Sequence, residues 1–192
     1  DLTNVSYSKD LDIFAQVKMQ QCYLLMRKKN HKQALSETYS FLREAETRGD
    51  TLSQIYCKMI IGFVYRNLSQ TDEALDWLIK AEQTGASGGY EEKKNEFRIF
   101  LLMGQMYNWK CYLEDKKTNA YVRDSMLSMD YTNRAIEDSR KYENLNVLAL
   151  ALGLKAANNS NNNEIMLPCI EESNKIYEQL GDTVSMQNSI FQ

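Results

Sequence analysis

Apolar residues recur along this chain at steps of three and four. Ala15, Met19, Cys22 and Met26 form one stripe, and Ala34, Thr38, Phe41 and Ala45 a second. That period marks one face of an α-helix. The pattern predicts helices over about 10–28, 33–48, 51–67 and 72–83. The third carries Ile61, Gly62 and Tyr65, and the fourth carries Ala74, Leu78 and Ala81. A glycine facing an alanine lets two antiparallel helix backbones approach closely. The breaks agree with this division. Lys28 to Lys32 reads as a turn. Gly49 suits the left-handed residue that ends a helix, and Asp50 suits the cap of the next. Gly181-Asp182 repeats the device.

The same marks return further on. Met103-Gly104 with Tyr107 restates Ile61-Gly62 with Tyr65, but the alanine expected twelve residues after the glycine is Lys116, and the match returns at Ala135. Both helices of this pair are therefore predicted long, over about 92–116 and 121–142, with the tip at 117–120. Trp109, Leu113, Val122, Met126 and Met129 would make this hairpin sticky. Leu152-Gly153 lies on a helix predicted over 145–157. Cys169, Ser173 and Ile176 take the places of Ala74, Leu78 and Ala81, with Pro168 in the first turn, where its missing N–H costs nothing. Gly85 to Gly89 reads as a short connecting loop, and Asn158 to Asn163 as a solvated one. Helix pairs are thus expected at about 10–50, 51–88, 91–142 and 144–182. A truncated fifth begins at Thr183.

These residues carry a resemblance. The tetratricopeptide (TPR) pattern asks for W-x₂-L-G-x₂-Y, then A-x₃-F, then proline, in repeats of about 34 residues. The pair at 51–88 supplies Ile61, Gly62, Tyr65, Ala74 and Leu78. The next supplies Phe100, Met103, Gly104 and Tyr107, and the fourth supplies Leu152, Gly153 and the helix around Cys169. Lys58 stands where the pattern has tryptophan, and Ala86 where it has proline. The chain resembles this family over residues 10–182. The resemblance implies an all-α, TPR-like right-handed superhelix of antiparallel helix pairs, an α-solenoid, forming a single domain over 1–192. The irregular spacing is similar to the divergent arrays of bacterial signalling proteins. It implies a protein- or peptide-binding module, the sensory or interaction part of a larger transcriptional or two-component regulator. A receptor for a small signalling peptide and a homodimerising scaffold through the 92–142 hairpin are the alternatives. The chain opens at Asp1 without a methionine and stops inside an apolar pattern at 183–192, so a fragment of a longer protein is expected.

Composition narrows the function. The 192 residues include one proline and eight glycines, too few turn residues for a fold of many short strands. A net charge of −3 argues against direct nucleic-acid binding, which rests on neutralising phosphates. No apolar run approaches the ~20 residues of a membrane span. The four cysteines, Cys22, Cys57, Cys111 and Cys169, lie far apart on apolar stripes and read as buried small hydrophobes. They form no zinc ligand set with the single histidine, His31, which falls in a basic turn. No metal, no cofactor and no enzymatic activity are expected. Two compartments stay open: the cytoplasm, or the periplasm as the sensor part of a membrane-anchored regulator.

In a TPR array the first helix of each pair lines the concave face. The resemblance therefore implies a binding groove of Tyr56, Met59, Phe63 and Arg66 in the second pair. In the third it implies Arg98, Leu101, Gln105 and Asn108, with Leu150, Leu154, Asn158 and Tyr23 as extensions. Aromatic and methionine contacts with amides and arginines at the edge suit a peptide or a helix.

Overall fold

The computed structural model describes residues 17, 20–22, 24–26, 28–86 and 96–181. The expected positions Ala15, Met19 and Tyr23, residues 87–89 of the expected loop, and the helix at 183–192 lie outside the described residues. Among the described residues the only regular element is the α-helix. Seven helices have printed bounds: α1 (His31–Arg48), α2 (Thr51–Asn67), α3 (Thr71–Ala86), α4 (Glu96–Leu113), α5 (Asn119–Lys141), α6 (Leu145–Asn158) and α7 (Asn163–Leu180). Residues 20–22 and 24–26 are helical as well. The chain falls into two compact units, residues 1–93 and 94–192.

Caps define these helices, the expected one at Asp50 among them. Asn30, Asp50, Thr118, Asn144 and Asn162 each accept a backbone N–H of the turn they open. Each cap satisfies a donor with no partner inside its helix. Gly49 and Gly181 end α1 and α7 at φ 67° and 68°, where a side chain would be strained. Two expectations move. Gly85 is a buried residue of α3, not part of a loop. Pro168 lies in the second turn of α7, because Asn162 starts that helix earlier: its side chain accepts from Glu164 N and its carbonyl from Met166 N.

In the first unit α2 is the central element and packs on both α1 and α3. Phe41 and Leu42 of α1 meet Cys57 and Ile61 of α2. Cys22 and Met26 meet Ala34, Ile60 and Val64. On the α3 side, a Cβ built on Gly62 would lie 3.0 Å from Leu78 Cγ and 3.1 Å from the Ala74 carbonyl oxygen. The expected close approach of Gly62 to Ala74 is therefore present.

In the second unit α5 packs on α4 and α6, α7 packs on α6, and α4 also touches α6 directly. Its core joins Phe100 and Leu101 of α4, Ile136 of α5, Leu148 and Leu152 of α6, and Ile176 of α7. Gly104 again faces the partner helix, but the residues opposite are Ser128 and Thr132. Ser128, Thr132 and Ala135 repeat the four-then-three step of Ala74, Leu78 and Ala81. Ala135 thus fills the third position, not the first. The α6–α7 junction shifts similarly. Nothing lies within 4 Å of a Cβ on Gly153, while Ser173 Oγ donates to the Ala149 carbonyl at 3.0 Å. Ala149 and Ser173 make the contact that the sequence assigned to Gly153 and Cys169. The physical requirement is a small side chain, and serine and alanine meet it as glycine does.

Candidate functional site

The eight residues expected to line a groove divide sharply. In the first unit Tyr56 and Met59 are buried, and Phe63 and Arg66 are half-exposed. Helix α2 carries apolar residues at 55–57, 59–61, 63 and 64, and its polar side is narrow, with Gln54 and Lys58 half-exposed. A helix apolar over most of its circumference is buried over most of it, and here the helical residues near Cys22 and Met26, α1 and α3 pack on it. Phe63 packs against the Cys22–Val64 cluster, and the Arg66 guanidinium lies 5.3 Å from its ring centroid.

In the second unit Leu101 is buried in the core, because α6 packs over that side of α4. Arg98, Gln105 and Asn108 are half-exposed. Asn108 belongs to a polar junction among α4, α5 and α6. Its amide donates to Asn158 Oδ1. Asn158 Nδ2 donates to Ser128 Oγ at 3.0 Å and approaches Thr132 Oγ1 at 3.4 Å. Ser128 Oγ donates to the Gly104 carbonyl at 2.9 Å, and Thr132 Oγ1 donates to the Ser128 carbonyl at 2.6 Å. The asparagine tract is therefore only partly a solvated loop. Asn158 is in this junction, Asn159 donates to the Lys155 carbonyl at 2.8 Å, and Asn162 caps α7.

The junction fixes the register of α4 and α6. Gly104 meets Leu154, and Asn108 meets Asn158, so levels on the two helices differ by 50. On this register Leu150 and Gly153 of α6 lie level with 100 and 103 of α4. Leu150 is 47% exposed and Gly153 borders open space. Leu150 and Gly153 thus leave an open strip along α6, and Arg98 and Gln105 on the neighbouring α4 are half-exposed. Leu154, expected on the same row, instead packs on Gly104.

Helix α6 ends at Asn158, but α4 continues to Leu113. The last five residues of α4, about 8 Å at 1.5 Å each, therefore extend past α6, as does the start of α5. This end carries Trp109, Tyr112, Leu113, Val122 and Met126, all exposed. Tyr112 is the residue that sequence reading missed. The available signal was its place four residues after Asn108 and seven after Gln105, on the same stripe of α4.

The hairpin end is well anchored. Asp124 is fully buried; Arg123 Nε donates to its Oδ1 at 2.7 Å, and Lys110 Nζ lies 3.7 Å from its Oδ2. Cys111 Sγ donates to the Tyr121 carbonyl at 3.9 Å. Burial pushes all four cysteine thiols up, Cys57 to about 12. They are weak nucleophiles in these surroundings. Among the described residues no three of His, Cys, Asp and Glu are placed to hold a metal ion. His31 opens α1. No described helix is long and apolar enough to cross a membrane. Neither the protein-family models nor the curated proteins compared with this chain give a match.

Proposed function

We propose that the chain is a protein- or peptide-binding module of TPR-like architecture, a right-handed stack of antiparallel helix pairs without chemistry of its own. The observation that carries this reading is the open strip along α6, where exposed Leu150 lies one turn from the empty space beside Gly153, with half-exposed Arg98 and Gln105 on the neighbouring α4. Two further features support the architecture. Small residues recur at the α2–α3, α4–α5 and α6–α7 junctions, and α4 touches α6 as well as its own partner. Side chains of this kind hold an extended peptide or a helix by apolar contact, with polar groups at the rim. The biological setting is that of a sensory or interaction part of a larger bacterial regulator, on the resemblance to divergent signalling arrays. A small signalling peptide is an occupant the strip can take.

The test is selection of binders from a displayed random peptide library against the whole chain. Selected peptides are expected to lose at least ~10-fold affinity, about 1.4 kcal/mol, on Leu150→Glu or Arg98→Ala. A selection that yields no binders, or binders indifferent to both changes, refutes the reading. The exposed hairpin end favours a second reading, self-association through α4 and α5.

A further inference from the structure

The end of the α4–α5 hairpin presents five large apolar side chains: Trp109 is 48% exposed, Tyr112 70%, Leu113 69%, Val122 52% and Met126 69%. Spacing and contacts place three of them on one side. Asn108 and Met129 both touch the C-terminal end of α6, through Asn158 and Asn159. Tyr112 lies four residues beyond Asn108, and Met126 and Val122 lie three and seven before Met129. Those three therefore continue the side that α6 covers, beyond the point where α6 stops. Trp109 and Leu113 border them on α4, with the Trp109 and Tyr112 rings 6.4 Å apart. Resting on the self-association reading, we infer that a second copy of this chain covers this surface, its hairpin end against the first in a two-fold, four-helix contact.

Three observations carry the inference. The first is area. With aromatic side chains of roughly 150–250 Å² and smaller aliphatic ones, these exposures leave on the order of 500 Å² of mostly apolar surface on each copy. That is within the range of the largest patch on an ordinary monomer. Two copies would bury about 1,000 Å², the size a specific interface has to reach. The second is charge. Exposed Asp115 and Asp130 border the patch together with exposed Lys116 and Lys117. A rim carrying both signs supplies acid and base to each copy, the charges that a two-fold contact between identical patches needs. The third is order. Thr118 caps α5 by accepting from Tyr121 N at 3.1 Å, and Asp124 is buried beneath the end. The surface is held in shape before contact, which lowers the cost of ordering it. The product is closed: two hairpin ends joined where each outreaches α6 make a four-helix contact.

The experiment is light scattering on the whole chain at roughly 100 µM, above the micromolar Kd suited to a contact of this size. The native chain is expected at twice its monomer mass. Tyr112→Asp with Met126→Asp is expected to give the monomer mass with an unchanged far-UV circular dichroism spectrum. Leu150→Asp, away from the hairpin end, is expected to stay dimeric. A native chain of monomer mass sinks both the inference and self-association. A dimer that survives the double change, or that Leu150→Asp dissolves, leaves self-association standing and overturns this location. If the double variant loses its helical spectrum, Leu113→Lys replaces it with the same two outcomes.

Discussion

Replacing Gly104 by alanine tests the packing argument most directly, because Gly153 on a neighbouring helix provides the control. At Gly104 the new methyl would lie 2.9 Å from Thr132 Oγ1, 3.1 Å from Leu154 Cδ2 and 3.4 Å from the Ser128 carbonyl oxygen. The Thr132 hydroxyl has little room to yield, since it donates to the Ser128 carbonyl at 2.6 Å. Overpacking of this kind costs about 1–3 kcal/mol. Weakening the Ser128 bond to the Gly104 carbonyl adds about 1 kcal/mol. Alanine recovers about 1 kcal/mol of helix propensity. The net expectation is a loss of about 2 kcal/mol. At Gly153 nothing lies within 4 Å, so only the propensity gain applies and Gly153→Ala should stabilise by about 0.5–1 kcal/mol. For a chain of this length 1 kcal/mol moves the melting temperature by about 2–4 °C. Thermal unfolding followed by circular dichroism should therefore place Gly104→Ala about 4–8 °C below the native chain and Gly153→Ala a few degrees above it. If Gly104→Ala melts with the native chain, or Gly153→Ala melts below Gly104→Ala, the assigned helix register is wrong.

Ser128→Ala should cost about 2 kcal/mol, because it removes the bonds to both Asn158 and the Gly104 carbonyl; Ser173→Ala, which loses a single bond, should cost about 1. Equal losses in urea denaturation would contradict the network. Thiol labelling of the folded chain near pH 8 should modify half-exposed Cys111 first and Cys57, whose thiol burial pushes up to about 12, last; equal rates at the two, read by mass spectrometry, would refute that burial. Burial also raises the Asp138 carboxyl above its ordinary value, against the opposing pull of Lys141 and Arg134. The folded state then holds that proton more tightly than the unfolded one, so its burial costs stability above the folded pKa, and the cost disappears as pH falls below the ordinary carboxylate value. Asp138→Asn should be more stable than the native chain at pH 7, with the gap closing in acid. A gap that stays constant with pH would refute the assignment.

The helices were legible because their signals are local: apolar spacing, and Gly49 followed by Asp50; the caps at Asn30, Thr118, Asn144 and Asn162 were not read, because such residues open loops as often as helices. The Gly62–Ala74 junction was legible because its contact residue is a glycine. The later junctions were not, because the contact selects volume and not one residue type. Ser128 and Ala149 are small enough, so matching by glycine placed Ala135 and Gly153 in positions the fold gives to others. Tyr56, Met59 and Leu101 show a different limit. The sequence placed them on the right helices, but which neighbours cover each side depends on packing between non-adjacent helices. The density of apolar residues on α2, at 55–57, 59–61, 63 and 64, was the one available sign that most of its circumference is covered. The sticky character of the hairpin end was readable from Trp109, Leu113, Val122 and Met126, since an exposed end needs only an apolar stripe with nothing long enough to cover it.

The Asn108–Asn158–Ser128 junction also opposes slippage. Helices that meet through a smooth apolar stripe can trade one turn for the next at small cost, and a stack of similar hairpins offers many near-equivalent alignments. Sliding α6 by four residues along α4 would carry the Asn158 amide away from Asn108 and Ser128 and lose the bonds that tie α6 to this pair, at about 1 kcal/mol each. The second unit thus keeps its phase by making the neighbouring alignments costly. An all-apolar replacement of these residues could gain stability and lose that phase, and with it the length by which the hairpin outreaches α6.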